Sequence, residues 1–326
     1  MLVVYGPEGT ALATPEQGCR GCWLELIAPG AADIARAARL AGFDEKLIRD
    51  ALDLHERPRI EEDDEATLLV IRAPHVEEAN GNGGHDGPDP RQRFSTAPVG
   101  IILARECIVA VSCLRDESIS GLLHAARSRC GGLRPERAIC NVSRAVAVLF
   151  LKHLKDISAA IREVERDLSR SLDNEDLMIL LGLQKSVTYF HAALKTNDIL
   201  LDRVIRKGLT AGAGARLNFS EEEGDMLDDA QTDTRQGIYM SKIFTEVLGS
   251  IAGVYASVIS NNVNQIMKIL TSLTVILMIP TLITSTYGMN IPLPLQEHGG
   301  AFATVTALSV ALTSASIWFM KRKKVL

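Results

Sequence analysis

Two long runs without a charged residue lie near the C-terminus and constrain the fold more than any other feature of the chain. Residues 269–287 follow Lys268, and residues 299–320 end at a run of four basic residues, 321–324. A helix needs about 20 apolar residues, within a range of roughly 17–25, to cross a membrane. We therefore predict two membrane-spanning helices joined by a short outer loop at residues 288–298.

The basic tail at residues 321–326 predicts the orientation of these helices. Cytoplasmic ends of membrane helices are enriched in Lys and Arg, so the tail is expected in the cytoplasm. Two spans return the chain to its starting side, which places the N-terminal body there too. The first thirty residues lack a basic segment followed by an apolar run, so no cleaved signal peptide is expected. We predict a multi-pass protein of the plasma (inner) membrane with both termini cytoplasmic.

Composition and motifs exclude several classes of protein. A net charge of −5 excludes a strongly basic nucleic-acid binder, and 47% apolar residues exclude a disordered chain. The six cysteines favour a reduced, cytosolic body. Cys19 and Cys22 form one C-x-x-C pair, which we interpret as two free thiols because nothing supplies two further zinc ligands. No P-loop, H-E-x-x-H or G-x-S-x-G motif is found, so the chain is not expected to be an enzyme.

Residues 1–140 are predicted to form an α/β domain, because short apolar segments alternate there with amphipathic ones. The predicted strands are 66–71, 100–103 and 107–113, the last two forming a hairpin, and the predicted helices are 33–40 and 45–54.

From Pro135 onward the pattern is helical, and residues 141–268 are predicted to form a helical hairpin and a stalk. Ser220 and Glu223 match a capping box at the start of the stalk helix. A continuous helix over residues 221–286 would be about 100 Å long. Only about a third of that length fits in a bilayer, so the rest is expected to be a cytoplasmic stalk.

The first predicted span is unusually polar, and several of its hydroxyl residues align with Asn264 and two methionines on one face. The polar stripe, with alternating spacings of three and four, consists of Asn264, Met267, Thr271, Thr274, Met278, Thr281 and Ser285. Leu270 lies beside it. Hydroxyl groups often bond to their own helix, but that accounts for isolated hydroxyls better than for an aligned stripe. We interpret the stripe as a pore lining, and since one helix cannot enclose a pore, a ring-shaped homo-oligomer is expected.

The residues that follow the first span are Tyr287-Gly288-Met289-Asn290. Here the chain resembles the CorA family of divalent-cation transporters, whose hallmark is a Gly-Met-Asn triplet at the end of the first of two C-terminal spans. The surroundings of the triplet are similar too: a long helix, a polar first span, a short loop, a second span and a basic tail. The resemblance is clear from about residue 220 onward.

The resemblance implies an α+β fold, with a cytoplasmic α/β domain, a long helical stalk and two C-terminal transmembrane helices, assembled into a homopentameric funnel. The family moves Mg²⁺, and often Co²⁺ or Ni²⁺, down the electrochemical gradient. Gly288, Met289 and Asn290 would then form the selectivity filter. The family's pore positions fall on Asn264, Met267, Leu270, Met278 and Thr281. No cofactor is implied; Mg²⁺ is substrate and regulator, and the other partners are lipid and further copies of the chain.

Two departures from the family pattern leave alternatives open. The outer loop keeps only Glu297 where many members carry Met-Pro-Glu-Leu, and Gly253 stands where some members have an acidic ring. His298 is compatible with a zinc transporter of the ZntB type. A non-conducting, membrane-anchored sensor is the other alternative, although it would need neither an aligned polar stripe nor Asn290.

Acidic residues cluster at the start of the stalk helix, at Glu221, Glu222, Glu223, Asp225, Asp228 and Asp229. Alone, this pattern favours a solvated first turn that suits the helix dipole. The resemblance implies a regulatory Mg²⁺ site between cytoplasmic domains, with Asp225, Asp228 and Asp229 as candidate ligands. The sequence does not identify the carboxylate partner from the N-terminal domain; the candidates are Glu61, Glu62, Asp63 and Asp64.

Overall fold

The computed structural model describes residues 1–6, 11, 21–63, 65–77, 93–105, 107–130, 134–168, 174–209, 217–289 and 299–323. These residues form two compact units, Met1–Ala252 and Gly253–Leu326. The finer division into 1–140, 141–268 and 269–326 stays a prediction.

The first unit contains one six-stranded mixed sheet. Its strands are β1 Leu2–Tyr5, β2 Cys22–Ile27, β3 Arg59–Glu62, β4 Ala66–Glu77, β5 Arg93–Ala104 and β6 Cys107–Ser112. They lie in the order β1-β2-β6-β5-β4-β3. Only β2 and β6 are parallel, and every other neighbouring pair is antiparallel. The three predicted strands and the β5–β6 hairpin are confirmed, whereas β1, β2 and β3 were not predicted.

Strands β4 and β5 extend well beyond the predicted ranges, through Pro74 and Pro98. Strand β3 pairs with β4 only as far as Val70, and β6 pairs with β5 only from Val99 onward. Each proline therefore lies just beyond the end of a neighbouring strand, where its missing N–H costs no ladder hydrogen bond. The predicted ranges were shorter than β4 and β5 because the sequence does not indicate where neighbouring strands end.

Helices cover both faces of this sheet. The first unit contains α1 Ala31–Ala41, α2 Glu45–Ala51, α3 Glu117–Ser128, α4 Pro135–Leu168 and α5 Asn174–Leu209, and α6 Glu221–Tyr287 begins there. Helices α1 and α2 pack on one face, and α3, α4 and α5 contact strands on the other. Side chains alternate between faces along a strand, so Leu24 joins the core under α1 and α2 while its neighbour Trp23 is buried outside that cluster.

Three described helices are long and apolar enough to span a membrane, one more than we predicted: α5, α6 and α7 Ala301–Arg322. In the most apolar window of each helix, 39% of residues are buried inside the chain in α5, against 6% in α6 and 0% in α7. Helix α5 is also bonded to the sheet. The side-chain amide of Asn197 accepts from the backbone N–H of Arg72 at 3.1 Å and donates to its carbonyl at 2.8 Å. The apolar face of α5 therefore belongs to the core of the first unit.

Gly100 sets the distance between α2 and the sheet. A Cβ atom at this position would lie 2.5 Å from the Cβ atom of Ala51. We expect Gly100→Ala to lower the free energy of unfolding by about 1–3 kcal/mol, because the helix must shift away from a packed sheet. Denaturant unfolding of the full-length protein, followed by the fluorescence of the buried Trp23, measures the change.

The matched control is Gly121→Ala in α3, where a Cβ atom meets nothing within 4 Å. Alanine is the better helix former, so this substitution should leave stability unchanged or raise it by up to about 1 kcal/mol. Equal effects of the two substitutions would show that close packing does not explain Gly100.

Candidate functional site

The polar stripe lies on an exposed side of α6. All seven of its members are exposed, and so is Leu270 beside them. Among the apolar members, Met267 is 54% exposed and Met278 is 65% exposed. The chain itself therefore leaves this whole face of the helix uncovered.

Between Asn264 and Tyr287, the residues of α6 that lose exposure lie on the opposite side of the helix. They are Ser272, Ile276, Ile279, Pro280, Ile283 and Tyr287. Helix α7 has a corresponding face, which includes Val305, Ser309 and Thr313. Since α7 is the other described helix of this unit, the polar stripe points away from it. Ser272 is 1% exposed, so this hydroxyl, unlike Thr271 beside it, is unavailable to a pore.

The threonine hydroxyls of the stripe donate to carbonyls of their own helix. Thr274 donates to Leu270 at 2.8 Å, and Thr281 donates to Leu277 at 2.7 Å. The local bonding that we considered as the alternative to a pore lining therefore does occur. It does not conflict with a pore, because a hydroxyl that has given its proton to the backbone still has a lone pair as an acceptor.

The hydroxyls of Thr274 and Thr281 thus present acceptors rather than donors to the space that the stripe faces. Water molecules around a cation point their hydrogens outward and are donors to their surroundings. A neutral row of acceptors can therefore bond the water shell of a hydrated cation, although the stripe contains no charged residue.

The Gly-Met-Asn triplet is described only in part. Helix α6 ends at Tyr287, and the N–H of Gly288 still bonds to the carbonyl of Thr284 at 3.0 Å. A Cβ atom on Gly288 would lie 3.2 Å from that carbonyl oxygen, so the glycine allows a close backbone approach. The φ angle of Gly288 is not positive. Met289 is 52% exposed, and Asn290 lies outside the described residues.

The predicted capping box at the start of α6 is confirmed. The carboxylate of Glu223 accepts from the N–H of Ser220 at 2.9 Å, and the hydroxyl of Ser220 accepts from the N–H of Glu223 at 3.3 Å. Glu223 is buried, whereas Glu222 forms a surface ion pair with Arg137 at 3.1 Å. Glu223 thus has a structural role as the buried helix cap, whereas Glu222 is held on the surface by its pair with Arg137.

The remaining acidic residues of the cluster surround or flank a cavity of about 330 Å³. Glu221, Asp225 and Asp228 line it together with Ile205 and Phe219, and Asp229 is exposed nearby on α6. No group of three His, Cys, Asp or Glu side chains among the described residues is arranged to hold a metal ion. The described residues of one chain therefore do not by themselves complete the predicted regulatory site.

Two of the candidate partner carboxylates in the N-terminal domain already form ion pairs within the chain. Glu61 pairs with Arg59 at 3.1 Å, and Glu62 pairs with Lys207 at 3.1 Å. Both are surface pairs, which contribute little stability and can be exchanged for a metal ion. Asp64 lies outside the described residues.

Cysteine chemistry adds nothing to the acidic cluster. Cys140 lies beside it, and its thiol donates to the carbonyl oxygen of Glu223 at 3.4 Å. Burial, reinforced by the nearby Glu223 carboxylate, raises the pKa of Cys140 to about 12, so the group is a neutral thiol at physiological pH. In the C-x-x-C pair, Cys22 is buried in β2, and Cys19 lies outside the described residues.

The chain matches known proteins over nearly its full length. The family model for CorA-like Mg²⁺ transporter protein matches residues 20–322. A cobalt/magnesium transport protein CorA from Methanocaldococcus jannaschii is 27% identical over 305 residues, which cover 92% of this chain and 90% of that protein. The complete structure of the CorA magnesium transporter from that organism aligns with a TM-score of 0.77 at 25% identity, covering 99% of this chain and 98% of that one.

A second solved structure bears on the zinc alternative. The cytoplasmic domain of ZntB from Vibrio parahaemolyticus aligns with a TM-score of 0.55 at 12% identity and covers 80% of this chain and 96% of that domain. At this identity the likeness shows a shared fold only.

The family match confirms the resemblance inferred from the Gly-Met-Asn triplet. It also confirms that the chain is not an enzyme, and the chain belongs to the family of CorA-like Mg²⁺ transporter proteins.

Proposed function

We propose that the chain is a passive Mg²⁺ transporter in which α6 lines the pore of a ring of identical subunits. The observation that carries this proposal is the polar stripe from Asn264 to Ser285. It is exposed along its whole length, lies opposite the face that packs toward α7, and leads to Gly288. The chain covers the other side of α6 but leaves this side open, as expected if copies of the chain enclose a shared pore. We propose five copies, as the resemblance to the family implies.

The proposed filter acts on a hydrated ion. Mg²⁺ demands octahedral oxygen coordination and gives up its water reluctantly. A ring of Asn290 side-chain carbonyls would hydrogen-bond the water shell without stripping it, and the acceptors at Thr281 and Thr274 would continue such contacts along the pore. Co²⁺ and Ni²⁺ form similar hydrated ions and are expected as further substrates.

The proposed gate lies at the cytoplasmic end of the polar stripe. Met267 and Leu270 are large, apolar and exposed. Rings of such side chains would form a narrow apolar constriction, and a hydrated ion cannot replace its water there with protein ligands. Transport would then require that the subunits move apart enough for water to enter.

The proposed pore places the protein in a membrane, with α6 and α7 crossing the bilayer. We assign α6 and α7 as the two spans in the plasma (inner) membrane, with both termini in the cytoplasm. The basic residues at the end of α7 and the apolar surfaces of α6 and α7 support this topology. The first unit would then form the cytoplasmic part of the ring.

The test is ion flux through the purified protein in liposomes, with Mg²⁺ and Zn²⁺ compared at a fixed membrane potential. We expect Mg²⁺ uptake driven by the potential alone and unaffected by a proton gradient. Uptake of Zn²⁺ but not Mg²⁺ would favour the ZntB-type alternative. If correctly assembled protein carried neither ion, the result would favour the alternative of a non-conducting, membrane-anchored sensor.

Regulation by internal Mg²⁺ is proposed at the acidic cluster. Among the described residues, Asp225, Asp228 and Asp229 do not form a closed set of metal ligands, which is consistent with a site completed by a neighbouring subunit. Carboxylates on adjacent subunits would repel each other unless a divalent ion lay between them. Bound Mg²⁺ would thus stabilise the closed ring, and its loss would favour an open one.

For the double variant Asp228→Ala/Asp229→Ala, we expect loss of inhibition by internal Mg²⁺. The half-inhibitory concentration should rise by roughly 5–150-fold, the usual range of an allosteric coupling. Flux measured at increasing internal Mg²⁺ tests this. Glu222→Gln is the matched control, because Glu222 pairs with Arg137 within the chain. Inhibition as strong as in wild type would show that the cluster is not the sensor.

A further inference from the structure

The described residues of the second unit carry positive charge only. These residues, 253–289 and 299–323, include four basic side chains and no Asp or Glu. The basic residues are Lys268, Lys321, Arg322 and Lys323, and all four are exposed. Exposed cationic groups without a carboxylate among the described residues around them are suited to bind an external anion.

These four residues belong to the same end of the helix pair. Lys268 directly precedes the first span, and the other three directly follow the second, so a two-span hairpin brings them to one side of the membrane. Lys268 lies one helical turn after Asn264 and one turn before the buried Ser272, at the border between the polar stripe and the opposite side of α6. Lys321, Arg322 and Lys323 lie at the end of α7, outside the helix that carries the stripe.

An aromatic contact orients part of this cluster. The guanidinium carbon of Arg322 lies 5.3 Å from the centre of the Trp318 ring, within the range of a cation–π interaction. Trp318 is 62% exposed and Phe319 is 57% exposed. Tryptophan is enriched where membrane helices reach the headgroup region, because its ring is apolar and its N–H is polar. The Arg322 guanidinium is thus held beside a ring suited to that depth.

We propose that Lys268, Lys321, Arg322, Lys323 and Trp318 form a binding surface for the headgroups of anionic phospholipids in the cytoplasmic leaflet. The phosphates would supply the missing counter-charge, and the Trp318 ring would contact the upper part of the acyl chains. A soluble polyphosphate could satisfy the charges but would gain nothing from the exposed aromatic rings, so the lipid is favoured. This inference rests on the proposed topology but not on ion conduction.

The chain provides its own probe, because it has only two tryptophans and Trp23 is buried in the first unit. Full-length protein is reconstituted in phosphatidylcholine vesicles that contain a minor fraction of brominated phosphatidylglycerol or, separately, brominated phosphatidylcholine. The bromines are placed near the headgroup end of the acyl chain. In the Trp318→Phe variant only Trp23 fluoresces, so its signal is subtracted from that of wild type to give the fluorescence of Trp318. We expect several-fold stronger quenching of Trp318 by the brominated anionic lipid at equal mole fraction, falling as NaCl is raised.

The triple variant Lys321→Gln/Arg322→Gln/Lys323→Gln should lose most of this preference. The matched control Lys152→Gln/Lys155→Gln/Lys195→Gln removes three exposed charges from the first unit and should keep it. Equal quenching by the two lipids in wild type, or a preference that persists in the triple variant, would overturn the proposal. So would loss of the preference on adding sodium triphosphate at constant ionic strength, which would indicate a site for soluble phosphate.

Neutralising a basic tail can alter membrane insertion. For that reason, the salt dependence in wild type is the second measurement: a preference for the anionic lipid that does not weaken with salt would also contradict the proposal. Since quenching needs no ion flux, this result is independent of whether the protein conducts Mg²⁺.

Discussion

Liposomes that contain the Asn290→Ala variant are expected to take up Mg²⁺ no faster than protein-free liposomes. The alanine methyl group cannot accept hydrogen bonds from the ion's water shell, so a ring of such residues would offer a hydrated ion no ligand at the pore mouth. Gly288 and Met289 remain, and α6 keeps its packed face, so the oligomeric state should be that of wild type. Flux and size-exclusion chromatography of the same preparation test both expectations.

The control for Asn290 is Asn262→Ala. Asn262 is an exposed asparagine of α6 that does not belong to the polar stripe. Its loss should leave flux unchanged, which separates an effect at the filter from a general effect of removing amides. Wild-type Mg²⁺ uptake through a correctly assembled Asn290→Ala variant would mean that the triplet is not the filter.

Replacing Met267 or Leu270 with glycine is expected to produce a channel that leaks under conditions that close the wild type. Each substitution removes a large apolar ring from a narrow site, so water can enter and ions can follow. The leak should be largest at high internal Mg²⁺, where wild-type flux is lowest. Uptake measured at that concentration, relative to wild type, gives the size of the effect.

Glycine also weakens a helix by roughly 1 kcal/mol, and this must be distinguished from opening of the gate. Ile269→Gly imposes a similar helix penalty at an exposed apolar position that is not on the polar stripe. This variant should remain closed at high internal Mg²⁺. If Ile269→Gly leaks as much as Met267→Gly, the gate lies elsewhere and the effect is one of helix stability.

The two long uncharged C-terminal segments and the polar stripe were predictable from the sequence because both are local properties. Hydrophobic length and helical spacing depend on neighbouring residues only, so the predicted range 299–320 differs from α7 Ala301–Arg322 by two residues at each end. The capping box at Ser220 and Glu223 is local for the same reason. These features require no knowledge of what the helix packs against.

The sheet was less predictable because strand pairing is non-local. Strands β1 and β3 are only four residues long, and β2 pairs in parallel with β6 across about eighty positions of sequence. Short strands at such separation have no periodicity that distinguishes them from loops. The length of β4 depends on Asn197 of α5, which satisfies the backbone of Arg72 where strand β3 has ended.

By itself, the sequence determined that the chain has two uncharged spans, a polar stripe and a Gly-Met-Asn triplet, because each follows from residue type and spacing. The tertiary structure decided which apolar helices belong to a soluble core and which face of α6 stays open. Helix α5 has the composition of a membrane span, yet its apolar face is buried against the sheet. Ser272 and Thr271 are adjacent hydroxyls, yet only Ser272 is buried. Burial depends on what lies across the contact, and residue spacing along one helix carries no information about that.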